Sequence, residues 1–134
     1  MDSPTIAGVA ASLSDLIVRV RGAVGPNWQD ECDIAQWLVD YKGARFANVP
    51  RYLSSIDAAA TLVPDGWNWM AGNRDGSLAR AFVTNGEPAF VGIGTRPNPD
   101  RQWFEETARL PAMALTLVCL LAHAHLEAQT NGTR

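Results

Sequence analysis

Apolar residues recur at helical spacing near both ends of this chain and at strand spacing in its middle. Leu13, Leu16, Ile17, Val20, Ala23 and Val24 form a one-sided stripe that predicts a helix over Leu13–Val24. Ser12 or Ser14 can cap it, and Gly25-Pro26 closes it. A second helix is expected over Trp28–Val39, with Trp28, Cys32, Ala35, Leu38 and Val39 on one side. Asp30, Glu31 and Asp33 fall in its first turn, where they read as solvated charge favoured by the helix dipole. Ser54 is placed to cap a third helix over Ser54–Val63, with Asp57 three residues later as a capping-box partner, and Pro64-Asp65-Gly66 ends it. The fourth helix is expected over Thr107–Ala128, with Pro111 in its first turn. Met113, Leu115, Leu117, Val118, Leu120 and Leu121 leave it almost no polar face. It is therefore either the central helix or half of a subunit interface.

Between these helices lie three strand candidates, Trp67–Ala71, Leu78–Thr84 and Ala89–Ile93. Turn sequences Asn73-Arg-Asp-Gly76 and Asn85-Gly86 separate them, and connections this short make the strands antiparallel. Residues 42–51 and 95–101 read as loops, the latter because of Pro97 and Pro99. Gln-Trp-Phe-Glu-Glu at 102–106 fits either a fourth strand or a helical lead-in. The fold class is α+β: an antiparallel sheet of three to four strands packed with helices, after a loose arm over residues 1–11. If Ala79, Ala81 and Val83 face the helices, then Leu78, Arg80, Phe82 and Thr84 share the other face.

Composition narrows the class of partner. The 134 residues are 47% hydrophobic and 19% charged, as expected of a folded single domain. A formal net charge of −3 offers no global field for DNA or RNA. Ten of the eleven basic residues are Arg, the side chain suited to bidentate anion recognition, although a GC-rich coding genome gives the same bias. Cys32 and Cys119 belong to no C-x-x-C and read as free thiols in a reducing compartment. No secretory signal is evident, and Leu110–Ala124 is short for a membrane span, so a cytoplasmic location is expected.

The chain offers little catalytic equipment. His123 and His125 are two apart and diverge on a helix, while Cys119 and His123 share a face but make only two ligands, so neither a metal nor any other cofactor is expected. A surface or interface role is expected for the histidines. There is no G-x-S-x-G, and the adjacent Glu105-Glu106 reads as solvated charge. Val91-Gly-Ile-Gly-Thr-Arg-Pro lacks the third glycine of a dinucleotide loop. What stands out is a set of aromatics and arginines: Trp67 and Trp69 alternating on one strand, Arg80 and Phe82 on the next, and Arg96, Arg101 and Arg109 in the adjoining loop and helix start. Aromatics stack on bases and Arg grips phosphate, so this set suits a nucleotide-like ligand. The competing reading makes the tryptophans core residues and the arginines solvated. Trp28 and Trp37 read as helix-packing residues.

One set of motifs suggests a family. After Gly25-Pro26 come the acidic segment Asp30-Glu-Cys-Asp-Ile-Ala35, then Tyr52-x-Ser54-x-x-Asp57-Ala58-Ala59, Leu62-Val63-Pro64-x-Gly66, a hairpin and a long Ala/Leu-rich helix. Over about residues 13–127 the chain resembles the phage ABA sandwich domain family of small bacteriophage proteins. The resemblance implies a phage or prophage product in a bacterial host, with a sheet between helical layers and no catalytic residues to carry over. The Pro97–Pro99 loop and the aromatic pair Trp103-Phe104 are unusual for such proteins and leave a divergent ligand site open. The chain is also similar in size and class to small phage proteins that soak up immune signals. The expectation is a homodimer or higher homo-oligomer that sequesters a cyclic nucleotide or cyclic ADP-ribose type of signal, with the last helix in or near the interface. The alternatives are an accessory protein acting through protein contacts, and a hydrolase without a readable motif.

Overall fold

The computed structural model describes residues 13–73, 78–85 and 102–132. In chain order these form α1 (Leu13–Gly22), α2 (Trp28–Lys42), α3 (Ile56–Ala60), β1 (Asn68–Gly72), β2 (Ala79–Thr84), β3 (Trp103–Ala108) and α4 (Pro111–Gly132). The class is α+β, with an antiparallel sheet in the order β1-β2-β3. The ambiguous residues 102–106 belong to β3, and the fourth helix starts later than expected, at Pro111. The predicted strand Ala89–Ile93 and the predicted arm over residues 1–11 lie outside the described residues.

The α4 helix is the central element. Every residue from Ala112 to Leu120 is buried, as are Ala122 and His123. It packs on all three strands on one side and on α1 and α3 on others. The small inward residues Ala79 and Ala81 let it approach β2 closely, and Val83 continues that buried row. Thr116 donates a hydrogen bond to the Tyr52 carbonyl at 2.8 Å, fixing the segment before α3 against the same helix. By length and composition the stretch Pro111–Gln129 could cross a membrane, but most of it is covered by this chain's own elements. Over Ala112–Leu120 its apolar circumference is covered within this chain. Of the two readings of this helix, the structure has the central one.

Local chemistry explains the element ends. The Asn27 side chain accepts from the Asp30 amide at 3.1 Å and caps α2. That helix runs three residues past Val39, because Gly43 adopts a left-handed conformation (φ 69°) and donates to the Val39 carbonyl. Hydrophobic periodicity ends before the backbone does. The third helix is shorter than Ser54–Val63, and its cap is Ser55, which accepts from the Ala58 amide at 3.2 Å. Ser54 is exposed, and Asp57 stands second in the helix rather than at the capping-box position. Thr61, Leu62 and Val63 then donate to carbonyls three residues back, tightening the chain out of α geometry. A turn closed by the Trp67 amide on the Pro64 carbonyl, with Gly66 at φ 82°, leads into β1.

The first-turn acids of α2 are not solvated, contrary to expectation. Asp30 is buried and pairs with Arg19 of α1 (2.6 Å), which also reaches Asp33 (2.6 Å). Glu31 is only 1% exposed and accepts from the Leu53 amide at 3.1 Å, with Arg51 3.9 Å away. These acids join α2 to its neighbours, a tertiary role that helix periodicity does not reveal. Glu105 and Glu106 are likewise paired, with Arg80 and Arg21 respectively.

Candidate functional site

Strand register decides which side chains share a face. Trp69 pairs with Val83 and Val83 with Phe104, while Ala71 pairs with Ala81 and Ala81 with Glu106. Directly opposed residues project to the same side, and Ala81 and Val83 are buried against α4, so these rows form the inner face. The outer face carries Met70, Phe82 and Glu105 in one row, Gly72, Arg80 and Thr107 in the next, and Asn68, Thr84 and Trp103 in the third.

That outer face holds a connected group. The Phe82 and Trp103 rings stack with centroids 4.3 Å apart and planes 14° apart. Arg80 Nε lies 3.1 Å from Glu105 Oε2, and the Trp103 indole N–H reaches Glu105 Oε1 at 3.4 Å. An open groove of about 420 Å³ runs beside them, lined by Met70, Gly72, Asn73, Leu78, Arg80 and Phe82. Met70 is 51% and Leu78 59% exposed, an unusual degree for large apolar side chains grouped together. The ion pair engages Arg80 Nε, and among the described residues no bond to its terminal amino groups is seen.

The structure thus brings together two of the expected site residues, Arg80 and Phe82. Trp67 and Trp69 do not join them. Trp67 stacks on Phe104 at 6.2 Å, and Trp69 sits opposite Val83 on the inner side, still 39% exposed. The alternation of the tryptophans is real, but the register sets its parity: odd-numbered residues of β1 align with the odd, inward residues of β2. Arg109 is exposed in the bend between β3 and α4, outside the group. Arg96 and Arg101 lie outside the described residues. Met70 and Glu105 were missed, and Trp103, read with Phe104 as an unusual aromatic pair that leaves a ligand site open, falls beside Phe82. Reading 102–106 as a strand paired with β2 would have placed Trp103 and Glu105 beside Phe82.

The nucleophilic and basic side chains sit elsewhere. His123 is buried, not at a surface, because α4 is the core helix. Its Nε2 lies 2.7 Å from the Leu62 carbonyl and so carries the proton, and the ring lies edge-on to the stacked Trp37 and Tyr41 rings (5.3 Å and 5.9 Å between centroids). Burial lowers its pKa, opposed by the Leu62 bond, and its Nδ1 has no hydrogen-bond partner. Burial also pushes the Cys119 thiol well up, so it stays protonated and unreactive. Tyr52, fully buried, has its hydroxyl pushed up to about 12 by desolvation. Among the described residues, no three or more His, Cys, Asp or Glu side chains converge as a metal site.

Comparison with protein-family models, with curated proteins and with solved structures finds no match to this chain.

Proposed function

We propose that this chain is a non-enzymatic binding protein that takes up a small nucleotide-like ligand on its open sheet face. The observation that carries the reading is the Phe82–Trp103 stack beside Arg80 and an open groove. A planar base gains contact area on such aromatic and thioether surface, and the terminal amino groups of Arg80 suit a phosphate oxygen. The reactive candidates Cys119 and His123 are buried under other elements, which favours retention of a ligand over its conversion. The resemblance to small bacteriophage proteins supplies the biological setting: sequestration, in the host cytoplasm, of a signal of the cyclic nucleotide or cyclic ADP-ribose type that drives antiphage defence.

The test is to mix the protein with a panel of these nucleotides, isolate it, denature it by heat and identify what is released. Release of an unaltered nucleotide supports sequestration, whereas an altered one makes the chain a hydrolase. A second reading, docking of a protein partner on the same face, is favoured by the half-exposed Met70 and Leu78 and by the charge match of Arg80 with Glu105. Absence of any bound nucleotide from the panel would select it.

A further inference from the structure

We infer that two copies of this chain pair through their outer sheet faces, about a two-fold axis running along the Phe82–Thr107 diagonal. The inference rests on the reading of this face as the functional surface and names its partner.

The geometry comes from the β2–β3 register. Phe82 stands opposite Glu105 and Arg80 opposite Thr107, so the four residues form a small lattice on the outer face. Arg80 and Glu105 occupy one diagonal, and Phe82 and Thr107 the other. A two-fold axis lying in the plane between two such faces, along the second diagonal, carries Arg80 over Glu105 of the partner subunit and Glu105 over Arg80 of the partner subunit. Phe82 falls near the axis and meets its own symmetry mate. A face with one cation and one anion so arranged is complementary to itself, which a symmetric interface requires. A partner of strong net charge would leave either Arg80 or Glu105 opposed by a like charge.

The apolar surroundings point the same way. Met70, Leu78 and Phe82 border the charge pair, and Met70 and Leu78 are more than half exposed. Sheet faces pack about 10 Å apart, a separation that side chains of this length span. The second face engages Phe82 and Arg80, the side chains a nucleotide would also use, so the dimer and a bound ligand compete for this surface. The first half of α4, Ala112–Leu120, is covered within its own chain and offers no such face.

The test is sedimentation velocity from about 5 µM to about 500 µM, because the small face formed by the three described strands gives an association governed by mass action. The wild-type protein should approach twice the 14.5 kDa chain mass as concentration rises. Arg80→Glu and Glu105→Arg, each leaving like charges opposed across the axis, should weaken association by about tenfold or more. The double reversal restores opposite charges and should recover the dimer. Circular dichroism checks that all variants are folded. A mass of 14.5 kDa throughout would overturn the inference, as would a dimer indifferent to the single reversals or a double reversal that stays monomeric. Nucleotide retention is read on the same samples, after sedimentation without nucleotide. A dimer that retains no nucleotide leaves this inference standing without the ligand reading, and a chain that stays at 14.5 kDa without nucleotide yet retains it when mixed does the reverse.

Discussion

His123, on the central helix, donates from Nε2 to the Leu62 carbonyl at 2.7 Å, tying α4 to the chain just after α3. The bond fixes the neutral tautomer and leaves Nδ1 buried without a partner, so protonation would place an unmatched donor in the core. Burial is the dominant cause of its lowered pKa. The unfolded chain therefore binds a proton more readily than the folded one, and stability falls as pH drops below the ordinary histidine value of about 6.5. Above that value the contribution is fully present. Thermal melts between pH 5 and pH 8 should show Tm declining on the acid side, and His123→Gln should flatten that part of the profile.

The buried carboxylate of Glu31 is the acceptor for the Leu53 amide. Removing it in Glu31→Ala strands that amide in the core and should cost about 1–3 kcal/mol in urea unfolding. Glu31→Gln keeps an acceptor oxygen and should lose markedly less. Equal losses for the two variants would mean that charge, not the hydrogen bond, holds the segment.

The cap of α3 makes a sharp comparison between neighbouring serines. Ser55→Ala should lower stability by about 1 kcal/mol, since it removes the acceptor for the Ala58 amide. Ser54→Ala and Asp57→Ala, at exposed positions away from that bond, should each stay within about 0.5 kcal/mol of wild type. Chemical denaturation of the three variants gives the ranking.

The contrast between Ser54 and Ser55 also shows where sequence reading runs out. Both serines fit a cap, and only the backbone conformation chooses between them. The Leu13–Val20 part of the α1 stripe, the all-round apolar character of α4 and the inward row Ala79, Ala81 and Val83 were legible because each follows from periodicity within one segment, whereas Val24 lies beyond the helix and is exposed. Trp67 and Trp69 went to the wrong face because their parity depends on pairing with β2, a relation between segments. Glu105 was missed, and Trp103 was not placed beside Phe82, for the same reason, since β3 is identified by its partner strand more than by its own pattern. Asp30 and Glu31 resemble ordinary first-turn acids until α1 and the Leu53 segment are packed against them.

The central claim is that the outer sheet face, and not the inner side that carries Trp69, holds a nucleotide-like ligand. It is tested most directly by measuring nucleotide retention and heat release for the wild type, Phe82→Ala, Arg80→Ala and Trp69→Ala, with folding checked in each. Loss of a stacking aromatic or of a phosphate-binding Arg should weaken retention by about tenfold or more, while Trp69→Ala should retain ligand as the wild type does. Retention abolished by Trp69→Ala but unchanged by Phe82→Ala and Arg80→Ala would contradict the account and move the site to the inner edge of β1.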